Sequence, residues 1–201
     1  MSFHPPMAYD ATFQRSKRTL AEPGEPFTYT AENRAKLDEI VARYPAEQRR
    51  SAVLPALYLV QYQQGYITGH AMEYVAGLLG ITPADVEDVV SYYTMFYTKP
   101  VGKFVLSVCR TLSCAINGAE RVVHELCHQL HVKPGETDAT GTFTVLEVEC
   151  LGACDKAPVI MVNDAWHEKQ SPDTVKQLLD DLRAKGESSL TDCHMAAKVK
   201  G

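Results

Sequence analysis

Two cysteine loops, Cys109-Arg-Thr-Leu-Ser-Cys114 and Cys150-Leu-Gly-Ala-Cys154, decide how this sequence is interpreted. Each loop follows a strand-like apolar run, at residues 104–108 and 143–149. Loops that leave the ends of two strands can bring four thiolates together at one place. We interpret the two loops as the site of a 2Fe-2S cluster, and so the chain as an electron-carrying subunit.

The spacing of the four cysteines leaves the metal open. A 2Fe-2S cluster takes two protein thiolates for each iron, which two close cysteine pairs supply. Structural zinc also accepts four cysteines with three or four residues between the members of a pair. A dithiol/disulfide enzyme fits less well, because neither pair has the Cys-x-x-Cys spacing of a thioredoxin active site. Spacing alone therefore leaves iron-sulfur and zinc level.

Composition limits the classes of partner. The 201 residues carry a formal net charge of −5, so no basic field is available to hold a phosphate backbone, and we expect no nucleic-acid partner. No apolar run approaches the roughly 18 residues that span a bilayer, so we expect no direct membrane insertion. Six cysteines in such a chain indicate metal ligands or buried thiols rather than a disulfide framework.

The N-terminal half predicts a small helical bundle. Apolar residues recur with helical spacing in four segments, which start near Thr30, Ser51, Thr68 and Thr82. We expect an irregular arm at 1–26 and the bundle at 27–100. A cluster of aromatic residues ends the bundle and comprises Tyr92, Tyr93, Phe96 and Tyr97. We interpret these rings as core or interdomain packing rather than as a platform for a partner or cofactor.

The C-terminal half changes pattern after Pro100 and Gly102. A strand, a helix at about 117–131, two further strands with an Asn163-Asp164 turn, and a last helix capped at Ser171-Pro172 follow one another. This order is typical of a thioredoxin-like α/β domain, which we place at 101–184, with a tail at 185–201. The predicted fold class is therefore α+β, and fold analogy suggests a cis peptide bond at Pro158.

The sequence also contains His124-Glu-Leu-Cys-His128, which matches the zinc-protease pattern H-E-x-x-H. On the predicted helix, His124, His128 and His131 lie opposite the apolar face, so surface histidines without a third ligand are the preferred interpretation. Cys127 is interpreted as a small, partly buried residue of that helix. The thiol of Cys193 and the neighbouring His194 have no partner motif.

Several runs resemble one known family, the E subunit of NADH-quinone oxidoreductase, which is the thioredoxin-like 2Fe-2S subunit of respiratory complex I. The similarity extends over about residues 30–183. The runs that carry it are Val86-Glu-Asp-Val-Val-Ser-Tyr-Tyr-Thr-Met-Phe96, Pro100-Val-Gly-Lys103, Val108-Cys-Arg-Thr-Leu-Ser-Cys114, Gly118-Ala119, Pro134-Gly-Glu-Thr137 and Val148-Glu-Cys-Leu-Gly-Ala-Cys-Asp-Lys-Ala-Pro-Val159.

The resemblance implies that Cys109, Cys114, Cys150 and Cys154 hold one 2Fe-2S cluster. It implies that the cluster exchanges single electrons with FMN in the neighbouring F subunit, which oxidises NADH, and that the iron-sulfur G subunit of the peripheral arm is a further partner. The chain would then be a subunit of NADH:quinone oxidoreductase with no complete substrate site of its own.

Related subunits serve NAD-linked hydrogenases and formate dehydrogenases, so these complexes are alternatives, with a zinc-stabilised interaction module as a third. We expect a cytoplasmic location, peripheral on the inner membrane of a bacterium, rather than a mitochondrial matrix. Prolines in the N-terminal arm disfavour the amphipathic helix that a mitochondrial presequence requires.

Overall fold

A computed structural model describes residues 26–186. The chain divides into two compact units, with the boundary between Pro100 and Val101. Among the described residues, no helix combines the length and the apolar character needed to cross a membrane. Each unit has its own apolar core.

Residues 26–100 of the first unit form four α-helices and one 3₁₀ helix. They are α1 Ala31–Val41, the 3₁₀ helix Ala46–Ala52, α2 Val53–Gln64, α3 Gly69–Leu79 and α4 Pro83–Tyr92. The predicted helical bundle has these elements, except that the residues before α2 form a 3₁₀ helix rather than a continuation of it. The rigid ring of Pro55 lies within the first turn of α2, where a missing backbone N–H costs no helical hydrogen bond.

Side-chain caps explain where these helices begin and end. The hydroxyls of Thr30, Thr68 and Thr82 accept hydrogen bonds from backbone N–H groups three residues further on, at the starts of α1, α3 and α4. Gly65 and Gly80 end α2 and α3 in the left-handed conformation that a side chain disfavours. The three helix starts predicted at Thr30, Thr68 and Thr82 are therefore confirmed.

The first unit buries the apolar faces that the helical spacing predicts. The fully buried side chains include Leu37, Leu57, Val60, Val75 and Val86. The ring cluster behaves less uniformly. Phe96 is fully buried and Tyr93 packs against the core. Tyr92 contacts the Tyr93 ring edge-on at 5.1 Å but is 78% exposed, so the structure does not show core packing for Tyr92.

The second unit contains four strands and three α-helices. They are β1 Phe104–Cys109, α5 Leu112–Ile116, α6 Ala119–Leu130, β2 Phe143–Val148, β3 Ile160–Val162, β4 Ala165–His167 and α7 Pro172–Lys185, with a 3₁₀ helix at Cys154–Lys156. Helix α6 therefore begins slightly later and ends slightly earlier than the predicted helix at 117–131. The short helix α5, which lies within the first cysteine loop, was missed.

The four strands form one mixed sheet in the order β2-β1-β3-β4. Strands β1 and β2 are parallel, while β3 is antiparallel to both β1 and β4. Asn163 and Asp164 form the predicted two-residue turn between β3 and β4, and the Ala157-Pro158 peptide bond is cis as expected. The α+β class and the thioredoxin-like second unit are confirmed.

Candidate metal centre

The two cysteine loops leave the sheet at the same edge. β1 ends at Cys109, which lies opposite Val148 at the end of the neighbouring parallel strand β2. The N–H of Arg110 still donates to the carbonyl of Val148 at 3.0 Å, so the strands stay paired until the loops begin. The parallel pairing therefore brings together two loops that are about 40 residues apart in the sequence.

An ion pair joins the two loops just beyond the strand ends. Arg110 Nη2 lies 2.8 Å from Glu149 Oε1, with the Nε atom of the same guanidinium at 3.3 Å. The side chain of Glu149 is 65% exposed, so this pair contributes alignment more than stability. The geometry of the cysteine site rests mainly on the strands beneath it.

The first cysteine pair is buried. Cys109 and Cys114, which lies on α5, each expose only 2% of their surface. Burial disfavours the thiolate of Cys109, but hydrogen bonds from Thr111, from the N–H of Leu151 and from the Cys114 thiol hold its pKa below the usual value. Burial, and the hydrogen bond to Cys109, raise the pKa of Cys114 to about 11. Within this pair, Cys109 therefore loses its proton more readily than Cys114.

The second pair is exposed to solvent. The Sγ atoms of Cys150 and Cys154 lie 3.4 Å apart. The N–H of Gly152 donates to Cys150 at 3.4 Å and lowers the pKa of that thiol, with help from hydrogen bonds to Cys154 and Thr111. The hydrogen bond to Cys150, followed by repulsion from its charge, raises the pKa of Cys154. As in the first pair, one thiol thus has a lowered pKa and the other a raised pKa.

The two pairs form one electrostatic group. The charge of Cys154 contributes to the raised pKa of Cys114, and the charge of Cys109 acts on Cys150. Two adjoining sulfur pairs are the donor set that a binuclear cluster uses, in which each iron takes two protein thiolates. The donor set therefore fits a 2Fe-2S cluster.

Two hydroxyl residues in the first loop contribute to the site, and the sequence reasoning did not single them out. Thr111 Oγ1 lies 3.2 Å from Cys109 Sγ, and the same side chain helps to lower the pKa of Cys150. Ser113 opposes the rise in the pKa of Cys154. The only sequence signal is their position between Cys109 and Cys114. Spacing rules consider the cysteines alone, so they pass over these hydrogen-bonding neighbours.

The histidine motif lies on α6 and at its C-terminal end. His124, His128 and His131 are exposed, as predicted, and belong to no three-residue group of metal donors in the described chain. Cys127 is partly buried, and its burial, with the nearby charges of Glu147 and Glu136, raises its pKa to about 11. Cys193 and His194 lie outside the described residues.

The mixed sheet, the cis proline beside it and the two cysteine loops define a thioredoxin-like iron-sulfur domain. The family model described as thioredoxin-like [2Fe-2S] ferredoxin matches residues 37–183. The chain belongs to this family, whose cofactor is a 2Fe-2S cluster, and within it to the E subunits of NADH-quinone oxidoreductase.

Three relatives illustrate the similarity. The chain is 38% identical to an NADH-quinone oxidoreductase E subunit of Rhizobium meliloti, the one numbered 2, over 84% of its own length and 98% of the relative. It is 44% identical to NADH-quinone oxidoreductase subunit 2 of Thermus thermophilus, over 74% of its own length and 82% of the relative. It is 39% identical to the NADH-quinone oxidoreductase E subunit of Mycobacterium tuberculosis over 80% of its own length, but spans only 65% of that longer protein.

A solved structure supports the fold. An NAD+-reducing [NiFe]-hydrogenase in the air-oxidized state matches with a TM-score of 0.58 over 66% of this chain and 23% of the hydrogenase chain. The sequences are 18% identical, so the match concerns the fold alone. The thioredoxin-like architecture therefore occurs as one part of a larger chain in that hydrogenase.

Proposed function

We propose that this chain is the electron-transfer subunit of the NADH-oxidising module of NADH:quinone oxidoreductase, with one 2Fe-2S cluster held by Cys109, Cys114, Cys150 and Cys154. The observation that carries the proposal is the placement of two cysteine pairs on loops at one edge of the sheet. When bound, the cluster takes up and releases single electrons. The family relationship supports the same role.

The chain's own residues would hold and shield the cluster. Both thiols with lowered pKa, Cys109 and Cys150, are already prepared to ligate iron as thiolates. The buried pair excludes water from one side, while the N–H of Gly152 donates to Cys150 at 3.4 Å. The backbone N–H groups of Leu151 and Val159 favour the thiolate forms of Cys109 and Cys114 and so act to lower the pKa of each. Such donors stabilise negative charge on the ligands and so tune the potential.

We place the electron-exchange surface beside the first cysteine pair. Leu112 and Ile116, one helical turn apart on α5, are 77% and 76% exposed and flank Cys114. Apolar side chains at such exposure favour burial against another protein. The proposed occupant is the FMN-bearing F subunit, because electron transfer requires that the flavin approach the cluster closely. The iron-sulfur G subunit would be a further partner, and the module would lie on the cytoplasmic side of the inner membrane.

The experiment that tests the cluster is anaerobic purification, followed by iron and zinc analysis, visible absorption and EPR after reduction. We expect about two irons per chain, iron-to-sulfur charge-transfer bands and an EPR signal in the reduced protein. Cys109→Ser and Cys154→Ser should each lose the normal cluster spectrum, and Cys127→Ser should retain it. A colourless, zinc-loaded wild-type protein would instead support the zinc-stabilised interaction module.

The docking surface has a separate test. Leu112→Glu combined with Ile116→Glu should weaken binding to the flavin-bearing subunit by about tenfold or more, since apolar anchors of an interface commonly contribute over 1 kcal/mol. Trp166→Glu is the matched control, because Trp166 is a 45% exposed apolar residue on β4. Equal affinities of the double variant and the control would contradict this surface.

An NAD-linked hydrogenase or formate dehydrogenase is the alternative parent complex. The fold match to the NAD+-reducing hydrogenase favours keeping the hydrogenase alternative, although its low identity limits the match to architecture. Affinity purification of the tagged full chain from its own cells distinguishes the two. We expect the co-purifying flavoprotein to be accompanied by quinone-reductase subunits, and co-purified nickel would indicate the hydrogenase.

A further inference from the structure

Thr111 occupies a helix-capping position but does not cap its helix. It is the N-cap residue of α5, with the extended backbone that such residues adopt, yet its side chain makes no capping hydrogen bond. The threonines at the same position of α1, α3 and α4 all use their hydroxyls as caps. A capping bond normally stabilises a helix, so its absence calls for another use of the hydroxyl.

The hydroxyl of Thr111 is directed to the cysteine sulfurs instead. Its Oγ1 atom lies 3.2 Å from Cys109 Sγ, within hydrogen-bond distance for sulfur. The same side chain contributes to the lowered pKa of Cys150 in the other loop. The hydroxyl therefore contacts a thiol of the first pair and also acts on a thiol of the second.

Ligation to iron fixes the direction of this hydrogen bond. In the thiol form, either the sulfur or the oxygen can donate to the other. A cysteine that binds iron has lost its proton, so its sulfur can only accept. The Thr111 hydroxyl must then be the donor to the Cys109 sulfur.

We infer that Thr111 is a positioning residue that sets the reduction potential of the 2Fe-2S cluster by donating its hydroxyl hydrogen to a ligand sulfur. Reduction adds one electron to the cluster and neither forms nor breaks a covalent bond. The added charge spreads onto the ligand sulfurs, where a donor stabilises it. Loss of the donor makes reduction less favourable. This inference rests on the proposed ligand set.

The test is a redox titration of the full-length protein with its cluster, reduced stepwise with dithionite and followed by EPR. Thr111→Val keeps the shape of the side chain but removes the donor, and its midpoint potential should shift to a more negative value. Thr111→Ser keeps the hydroxyl and should retain the wild-type potential. Thr68→Val is the matched control: it removes a threonine that does cap a helix, so it should lower thermal stability without moving the potential.

Several outcomes would overturn the inference. One is a wild-type potential in a Thr111→Val protein with full cluster content, and another is an equal shift in Thr111→Ser. If valine prevents cluster assembly, Thr111→Ala replaces it in the same comparison with serine. Failure of both to assemble a cluster would make the hydroxyl an assembly requirement, contrary to the inference. A wild-type protein without a cluster would instead overturn the proposed function, before any variant is compared.

Discussion

The pair Cys109 and Cys114 and the pair Cys150 and Cys154 lie in neighbouring loops but obtain their geometry in different ways. The first pair is part of the core, at the end of β1 and on α5, and is almost fully buried. The second pair is exposed, in a loop shaped by a left-handed Gly152 and a short 3₁₀ helix. The fold itself holds the first pair, whereas local backbone conformation holds the second.

Because of this difference, we expect the two pairs to respond differently when the metal is absent. A buried pair that is also part of the core should keep its positions with or without metal, because moving it would disturb the packing around it. An exposed pair has fewer such constraints and gains more order from the metal itself. Four variants or measurements test this contrast, from the largest expected effect to the smallest.

The largest effect should come from serine substitution in the two pairs. Without metal, Cys114→Ser places a hydroxyl in an apolar site and should lower the free energy of unfolding by about 2 kcal/mol. Cys154→Ser changes an exposed residue and should alter it by no more than about 0.5 kcal/mol. Urea denaturation in chelator and reductant measures both. Equal losses would remove the distinction between a core pair and a surface pair.

The second contrast is in thiol reactivity of the metal-free protein. At pH 7, a thiol with a pKa of about 11, such as Cys114, contains about 100-fold less thiolate than one with a pKa of 9. Its greater intrinsic nucleophilicity recovers about tenfold of this. Cys150, with a lowered pKa and an exposed sulfur, should therefore react with iodoacetamide at least about tenfold faster. Peptide mass spectrometry after timed alkylation gives both rates; similar rates would refute the pattern.

Much of this architecture follows from sequence signals that act locally. Thr30, Thr68 and Thr82 marked helix starts, and Asn163-Asp164 marked a hairpin, because caps and tight turns depend on a few adjacent residues. The apolar spacing of α6 likewise identified its buried face. These predictions needed no knowledge of the rest of the chain.

The missed features depend on short elements or on tertiary contacts. The helix α5 has five residues, too few to show a helical period, and the 3₁₀ helix at Ala46–Ala52 has none of the 3.6-residue spacing. The use of Thr111 depends on where the second cysteine loop lies. The opposite pKa shifts within each cysteine pair depend on burial and on hydrogen bonds that only the folded chain provides.

Backbone conformation in the second loop gives the third contrast. Gly152 has φ +80°, and an added Cβ would meet nothing within 4 Å, so Gly152→Ala should cost only the backbone penalty, about 1 kcal/mol. Gly77, inside α3, has equal space and an ordinary helical φ, so Gly77→Ala should stabilise the chain by about 0.5–1 kcal/mol. Thermal unfolding of the metal-free variants tests the opposite signs. A neutral Gly152→Ala would mean that the loop is not held in this conformation.

The ion pair between the loops should have the smallest effect. Glu149→Gln removes the charge that Arg110 contacts at 2.8 Å but keeps the side-chain length, and should cost about 0.5 kcal/mol at low ionic strength. The loss of stability should stay small because Arg110 also interacts with a second carboxylate, that of Glu147. Burial raises the pKa of Glu147, and the positive charge of Arg110 opposes that rise. Arg110 thus retains an acidic neighbour after the substitution.

Salt dependence separates this explanation from a structural role for Glu149. In 1 M salt the screening length is about 3 Å, so urea denaturation should then give nearly equal stabilities for the wild type and Glu149→Gln. Asp38→Asn breaks the exposed Arg34–Asp38 pair within α1 and should show the same small, salt-sensitive loss. A loss above about 2 kcal/mol that persists in salt would mean that Glu149 fixes the second loop to the first. The two cysteine pairs would then form one rigid unit, and the contrast between them would apply to exposure alone.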